Sequence, residues 1–396
     1  MSEASDPATC PQGHDGAVRL LSVFASVGGG AAAAPAAAPR PAGAPPAAPG
    51  AQLSDQVFKN VTVMKGMPVD QFMGTMGVFS SATGLNCTDC HTEDSGGDWA
   101  KYADETELKK TTRRMIVMMQ SINNDNFNGK QVVTCNTCHR GVTIPNVMPS
   151  IAALYASPPP DEPGDPFTQA PKAANPEQVL DRYIAAVGGT QRLAALRSIS
   201  AKGLYKGFDD ADKSPMELYA NANGQRSIVA HMASGVGTWT LDGQNGWVTG
   251  PPTDRPIPMM NLTGQELEGT RVETQVFFPA NIKQALRNWR VGFPAQIDDQ
   301  DVEVVQGTTP SGGVVTLCFN KETGLLRRLV RYSGSMVGRI VTQVDYRDYR
   351  DVNGVKLPFA WTVSWLNGRS TYELSAIEAN PTIPPATFAR PAAARN

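Results

Sequence analysis

No stretch of the 396-residue chain reaches the roughly 18 consecutive apolar residues that a bilayer-spanning helix needs, so its body is not expected to cross a membrane as a helix. An excess of one charge is also missing. The 35 Lys and Arg nearly cancel the 37 Asp and Glu, and the net charge of −2 argues against a partner recognised through its phosphates. With 41% apolar and 18% charged residues the chain is not a disordered polyelectrolyte. Six cysteines are too few to staple a protein of this length. What is present is more than one hydrophobic core usually serves, and two domains are expected.

Composition divides the chain. Residues 31–51 are Ala, Pro and Gly except for Arg40, a tether with little to bury. Ahead of it, Arg19 leads into Leu20, Leu21, Val23, Phe24 and Val27, and then into small residues with Ala36-Ala37-Ala38. This is the pattern of a secretory signal, although the acidic residues Asp6 and Asp15 before it fit that pattern poorly. Cys10 lacks the preceding apolar stretch of a lipid anchor. A second break runs through Pro158, Pro159, Pro160, Pro163, Pro166 and Pro171, a semi-rigid linker. The expected organisation is a signal segment and tether over 1–51, a Met- and Cys-bearing domain over 52–156, a linker over 157–174, a strand-rich domain over 175–390 and a tail over 391–396.

Periodicity assigns the elements. Helices are predicted over 69–79 and 105–122, the second with Met115, Met118, Met119 and Ile122 on one face. Asn175-Pro176-Glu177 reads as a helix start, followed by Val179, Leu180, Tyr183, Ile184 and Val187 at helical spacing; Thr190 is expected to cap a short helix to Leu196. A further helix is predicted over 265–277. From Ser198 the period becomes two, with strands predicted over 314–319, 325–332, 339–349, 358–366 and 371–377. Their connections include Asn353-Gly354 and the two-residue hairpin signal Asn367-Gly368. The fold class is multidomain α + β: a mainly helical N-terminal domain and a curved antiparallel sheet with packed helices.

The chemistry is concentrated in two pentapeptides. Cys87-Thr88-Asp89-Cys90-His91 and Cys135-Asn136-Thr137-Cys138-His139 are complete C-x-x-C-H motifs, the pattern of covalent haem c attachment. Two thiols one turn apart add to the vinyl groups of one porphyrin edge, and the adjacent His turns its imidazole under the iron. A shared zinc site fits less well, because Cys90 and Cys135 lie much further apart than the roughly 15 to 20 residues usual between paired-Cys ligands. A dithiol redox site would not need the His. Two haems are therefore expected, with His91 and His139 as proximal ligands.

The distal ligands are constrained by scarcity. Only four histidines exist, and His14 and His231 lie far from the motifs in sequence, so methionine is the better distal candidate. Met73, Met76, Met115, Met118 and Met119 lie upstream of the motifs; most are expected to be core fillers, since each iron takes one distal ligand.

Residues 57–148 resemble the multihaem cytochrome c subunit of photosynthetic reaction centres and its non-photosynthetic relatives. The stretch from Met76 to His91, with its Gly84-Leu85-Asn86-Cys87 turn, is similar to a family segment in which a helix supplies the methionine. Arg113-Arg114-Met115, followed by Val133-Thr134-Cys135 through Gly141, is similar to another. The resemblance implies Met76 and Met115 as distal ligands, and electron transfer rather than catalysis. It departs where four-haem members carry more motifs, and where a His serving one of their haems has no counterpart between Ile122 and Val133. Arg113, Arg114 and Arg140 are candidates to face haem propionates or a docking partner; Lys101, Lys109 and Lys110 are weaker ones. Trp99 and Tyr102 are equally suited to a haem edge or to ordinary packing.

The region from Asn175 to Ala389 weakly resembles the periplasmic lipoprotein-carrier type of fold; His231 and Cys318 read as ordinary sheet residues. The combined reading is an exported, periplasmic diheme electron carrier, serving redox protein partners such as a membrane-bound reaction centre or respiratory complex. Rivals are a diheme peroxidase-like enzyme with one open haem, and a lipid- or quinone-binding module with a haem relay.

Overall fold

The computed structural model describes residues 51–96, 98–156, 167–208, 210–251 and 256–391. The expected signal segment, Cys10, His14 and most of the tether lie outside these residues, as does 157–166 of the linker. Helices in the first part are α1 (Ser54–Val57), α2 (Val69–Thr83), α3 (Cys87–Cys90), α4 (Glu107–Phe127), α5 (Cys135–His139) and α6 (Ile151–Leu154). The second part adds α7 (Pro176–Ala186), α8 (Thr190–Ala195), α9 (Gly264–Gln275) and α10 (Ile282–Ala285). Both predicted helices of the first part are present and longer than their apolar pattern, because each runs on to a left-handed residue, Gly84 (φ 74°) and Asn128 (φ 54°). In α7 the Asn175 side chain accepts from the Glu177 N–H, as an N-cap should. Thr190 does not cap α8: Gly189, at φ 81° and ψ 159°, takes the cap position and Thr190 is the first helical residue.

The strands are β1 (Ser198–Lys206), β2 (Ser214–Asn221), β3 (Gln225–Met232), β4 (Gly235–Asp242), β5 (Gly246–Thr249), β6 (Met259–Leu262) and β7 (Arg287–Val291). They continue as β8 (Ala295–Ile297), β9 (Gln300–Thr308), β10 (Val314–Asn320), β11 (Leu326–Gly334), β12 (Arg339–Val352), β13 (Val355–Trp365) and β14 (Gly368–Ala379). They form one 14-stranded sheet in the order β6-β5-β4-β3-β2-β1-β14-β13-β12-β11-β10-β9-β7, with β8 on β9, and every pairing is antiparallel. Val179, Leu180 and Tyr183 of α7, Val272 of α9 and Ile282 of α10 join inward residues such as Leu218, Leu317, Leu329 and Trp361 in one apolar core. The α + β expectation holds.

The two hairpin signals behave differently. Asn353 (φ 52°) and Gly354 (φ 82°) make the two-residue turn between paired Val352 and Val355, with both residues left-handed. At Asn367-Gly368 the turn falls one residue earlier, on Leu366 and Asn367, and Gly368 pairs with Trp365. The glycine is needed there for close approach: a Cβ would lie 2.8 Å from Trp365 Cζ2 and 3.0 Å from Phe208 Cγ.

A second core lies between the helices and the sheet. Met64, Met67, Val78 of α2, and Ile116 and Met119 of α4 cluster with Val337 and Ile340 of the β11–β12 hairpin. Glycines on α2 allow the approach. A Cβ on Gly74 would stand 2.6 Å from Ile340 Cδ1, and one on Gly77 would stand 2.9 Å from Asn367 Oδ1. At the start of α2, Asp70 accepts from the Thr263 N–H (2.6 Å) and hydroxyl (2.8 Å), which joins it to the residue capping α9. Gln52 reaches β6 by donating to the Met259 carbonyl and accepting from the Asn261 N–H.

Candidate functional site

Each C-x-x-C-H motif is a short helix with its own fastening. Asn86 caps α3: its side chain accepts from the Asp89 N–H (3.0 Å), and Asp89 returns the bond by accepting from the Asn86 N–H (2.8 Å). Before α5, the Thr134 N–H donates to the Thr137 hydroxyl at 3.0 Å. Asn86 and Thr134 therefore set the first turn that places Cys87 with Cys90 and Cys135 with Cys138. All four are free thiols; Cys87 and Cys138 are exposed, and Cys90 and Cys135 are half-buried. Burial pushes the Cys90 and Cys135 thiols above the ordinary range, which keeps both protonated and uncharged.

The histidines are oriented alike. His91 Nδ1 lies 3.1 Å from the Tyr102 carbonyl, and His139 Nδ1 lies 3.1 Å from the Val142 carbonyl. A carbonyl only accepts, so both Nδ1 atoms carry the proton, and Nε2 is the nitrogen left with a lone pair for a metal. Burial, and then the Lys109 charge, hold His91 below its usual value, which favours the neutral imidazole a metal requires. The Tyr102 ring also packs tilted against His91, with centroids 4.5 Å apart, and Trp99 packs tilted against Tyr102 at 4.7 Å.

These features fit a haem. The region is also unusually rich in exposed large apolar side chains: Leu108, Met115 and Met118 on α4, then Val142, Ile144 and Met148 after the second motif, with Ile144 81% exposed. Apolar surface of this kind suits a large flat group seated against it.

Burial sorts the methionines. Met119 is 5% exposed and belongs to the second core, so it is a filler. Met76 is partly buried beside that core, whereas Met115 and Met118 are exposed on α4. The arginines divide too. Arg113 is held by both oxygens of Glu105 at 2.8 and 2.6 Å, Arg114 donates to the Thr111 hydroxyl at 3.0 Å, and Arg140 is exposed. Arg140 also ends α5 in the left-handed region, at φ 51°. Lys109 donates to the Tyr102 carbonyl at 2.8 Å, while Lys110 pairs with Glu107 and Lys101 with Asp104. In the sheet, His231 pairs with Glu217 at 2.9 Å, and Cys318 is buried with its thiol pushed up to about 12.

Four positioning residues come to light in the fold. Thr106 caps α4 by accepting from the Lys109 N–H, and its hydroxyl donates to the Cys90 carbonyl at 2.7 Å. Asn123, 6% exposed, accepts from the N–H groups of Val132 and Val133 and donates to the Val133 carbonyl, clamping the strap that enters the second motif. Gly141 donates to the Ala82 carbonyl at 2.8 Å, and Thr143 to the Thr83 carbonyl at 3.1 Å. The last turn of α2 thus runs by chain into the first motif and is bonded to the exit of the second. Thr106 before the acidic Glu107 is a local cap signal that could have marked it; the Asn123 and Gly141 contacts had none.

Fold and site together are those of a helical region bearing two Cys-x-x-Cys-His motifs, packed on a large antiparallel sheet. Residues 30–159 match the family model described as photosynthetic reaction centre cytochrome C subunit. The chain is 34% identical over 105 residues to the photosynthetic reaction center cytochrome c subunit of Roseobacter denitrificans, covering 24% of this chain and 28% of that one. To the subunit of Rubrivivax gelatinosus it is 35% identical over 96 residues, covering 23% and 25%. The similarity spans about a quarter of the length of these relatives. Among solved structures, a LolA superfamily protein from Nitrosomonas europaea covers 55% of this chain and 99% of its own at a TM-score of 0.37 and 17% identity. A putative outer membrane lipoprotein-sorting protein domain from Vibrio parahaemolyticus covers 54% and 97% at a TM-score of 0.36 and 10% identity. Among the described residues no helix is long and apolar enough to cross a membrane.

Proposed function

We propose that this chain is a diheme c-type cytochrome that carries electrons between redox protein partners outside the cytoplasm, one of them a membrane-bound reaction centre or respiratory complex. The observation that carries the reading is the shared orientation of His91 and His139, each with Nδ1 on a backbone carbonyl and Nε2 left for iron. Cys87 with Cys90, and Cys135 with Cys138, would hold the two porphyrins through thioethers. Met76 and Met115 would take the distal positions opposite His91 and His139. A bound haem supplies a one-electron ferric/ferrous couple at each motif.

The chain's own residues keep each motif stationary while the charge changes. Asn86 and Asp89 fix the first turn, Tyr102 and Thr106 hold its imidazole and carbonyl end, and Asn123 fixes the approach to the second. The bonds from Gly141 and Thr143 tie the second motif to the helix that leads into the first, which supports transfer between the two. Arg114 and Arg140, both exposed, are proposed to meet propionates or an acidic partner; Arg113 anchors the start of α4 through Glu105. The continuous apolar core beneath the sheet supports a structural part rather than a lipid- or quinone-carrying one.

Intact-mass measurement of the full chain, expressed with a haem-attachment system, tests the reading. Two covalent haems are expected, with one lost in Cys87→Ser/Cys90→Ser and the other in Cys135→Ser/Cys138→Ser. A wild-type chain that leaves the same system with no haem would falsify it.

A further inference from the structure

The two motifs are supported by different parts of the molecule. Cys87–His91 is fastened from within the helical region, by Asn86, Asp89, Tyr102 and Thr106. Cys135–His139 leans on the sheet. The tip of the β11–β12 hairpin, 335–338, is a tight turn in which Ser335 N–H and hydroxyl both donate to the Gly338 carbonyl, at 3.0 and 2.8 Å. Its Val337 carbonyl accepts from the Cys135 N–H at 3.4 Å, and its Ser335 carbonyl accepts from Gln131 Nε2 at 2.9 Å. The Cys135 N–H opens a short helix and has no partner inside it, so an acceptor from elsewhere helps decide where that helix sits.

The side chains of the tip are held as firmly as its carbonyls. Val337 is completely buried, in the cluster that holds Val78, two residues from Met76, and Ile116, next to Met115. Gly338 lies so close that a Cβ there would be 3.2 Å from Val78 Cγ1 and 3.8 Å from Thr134 Cβ, and Thr134 is the residue before Cys135. Cores of this density transmit a displacement rather than absorb it.

We propose that the 335–338 hairpin tip is a positioning element of the second haem-binding motif, so that the sheet bears on the haem at Cys135–His139 directly, and on the haem at Cys87–His91 only through Val78 on α2. The proposal rests on the reading of both motifs as haem sites. It gives the sheet a definite role, because strain at the 335–338 tip registers most strongly at the haem of Cys135–His139.

The test uses the haem-loaded full chain with Gly338→Ala, which asks the neighbours to give by a few tenths of an ångström, and Val337→Ala, which removes two buried methyl groups. Gly354→Ala, in the distant β12–β13 turn at φ 82°, serves as a control that strains the sheet elsewhere. Paramagnetically shifted haem methyl resonances of the oxidised protein resolve the two sites, and the two Cys→Ser pairs assign them. The expected result is a shift of the Cys135–His139 resonances in both tip variants that exceeds any shift of the Cys87–His91 set, with neither set moved by Gly354→Ala. Resonances that shift equally at both haems, more at Cys87–His91, or at neither, overturn the proposal even though haem is present. Absence of haem resonances in the wild-type protein overturns the haem reading, and this inference with it.

Discussion

Asn123 shows how much one amide can hold. It closes three hydrogen bonds to the strap at 132–133 from a site 6% exposed, and Asn123→Ala leaves two N–H groups and a carbonyl without those partners. A loss of about 2 kcal/mol is expected, measurable by urea unfolding, because the half-buried Val133 N–H and carbonyl lose their partner at roughly 1 kcal/mol each, whereas the exposed Val132 N–H keeps its bond to the Lys130 carbonyl. The methionines give a second prediction at this scale. Met115→Leu should open the second haem and Met76→Leu the first, each creating one carbon-monoxide-binding haem with a lowered potential, read by difference spectroscopy and redox titration. The sequence made the two Cys-x-x-Cys-His motifs legible because the proposed haem attachment demands neighbours one turn apart. It could not single out Asn123, whose partners are backbone groups nine and ten residues away, nor separate Met119 from Met115, since both fit one helical period and only the fold buries the first.

Among the elements, α2 has the heaviest duties. It carries Met76, receives Ile340 and Asn367 on Gly74 and Gly77, and ends at Gly84, whose φ is 74° and whose added Cβ would stand 2.6 Å from the Gly141 carbonyl oxygen. Gly84→Ala therefore meets a left-handed backbone and a backbone clash at once. It should cost more than about 2 kcal/mol and weaken the α2–α5 junction, seen as a lower melting temperature and as faster hydrogen exchange at the Gly141 amide. Hairpins show where local signals succeed and fail. Asn353-Gly354 is a turn because both residues accept positive φ, so the dipeptide signal was sufficient. Asn367-Gly368 carries the same letters, but Trp365 and Phe208 crowd Gly368 into the strand and move the turn back by one residue. Helix α8 slips in the same way, with Gly189 in the cap position expected of Thr190.

At the scale of the whole molecule, the helical region meets the sheet at a seam that titrates. Asp70 is mostly buried against Thr263, and burial, opposed by the Thr263 bonds, raises its carboxyl to about 6 from an ordinary 3.8. Because the folded value lies above the unfolded one, its contribution is fully present below pH 4 and is lost as pH rises to about 6, a change of about 3 kcal/mol. Urea unfolding of wild type and Asp70→Asn at pH 4 and pH 7 checks this: the stability difference between the two proteins should move in favour of the variant as pH rises. None of this seam was visible in the sequence, because Asp70 and Thr263, or Cys135 and Val337, lie some two hundred residues apart and carry no shared pattern. The sheet itself was legible through its period-two strands, and the helical region through its motifs. The central claim, that the chain is a two-haem electron carrier whose irons are both held by protein on each face, is tested most directly by the reduced absorption spectrum of the haem-loaded chain with and without carbon monoxide. Two c-type haems whose spectrum the gas leaves unchanged are the expected result; a shift in the bands of either haem would contradict the claim and bring the peroxidase-like reading forward.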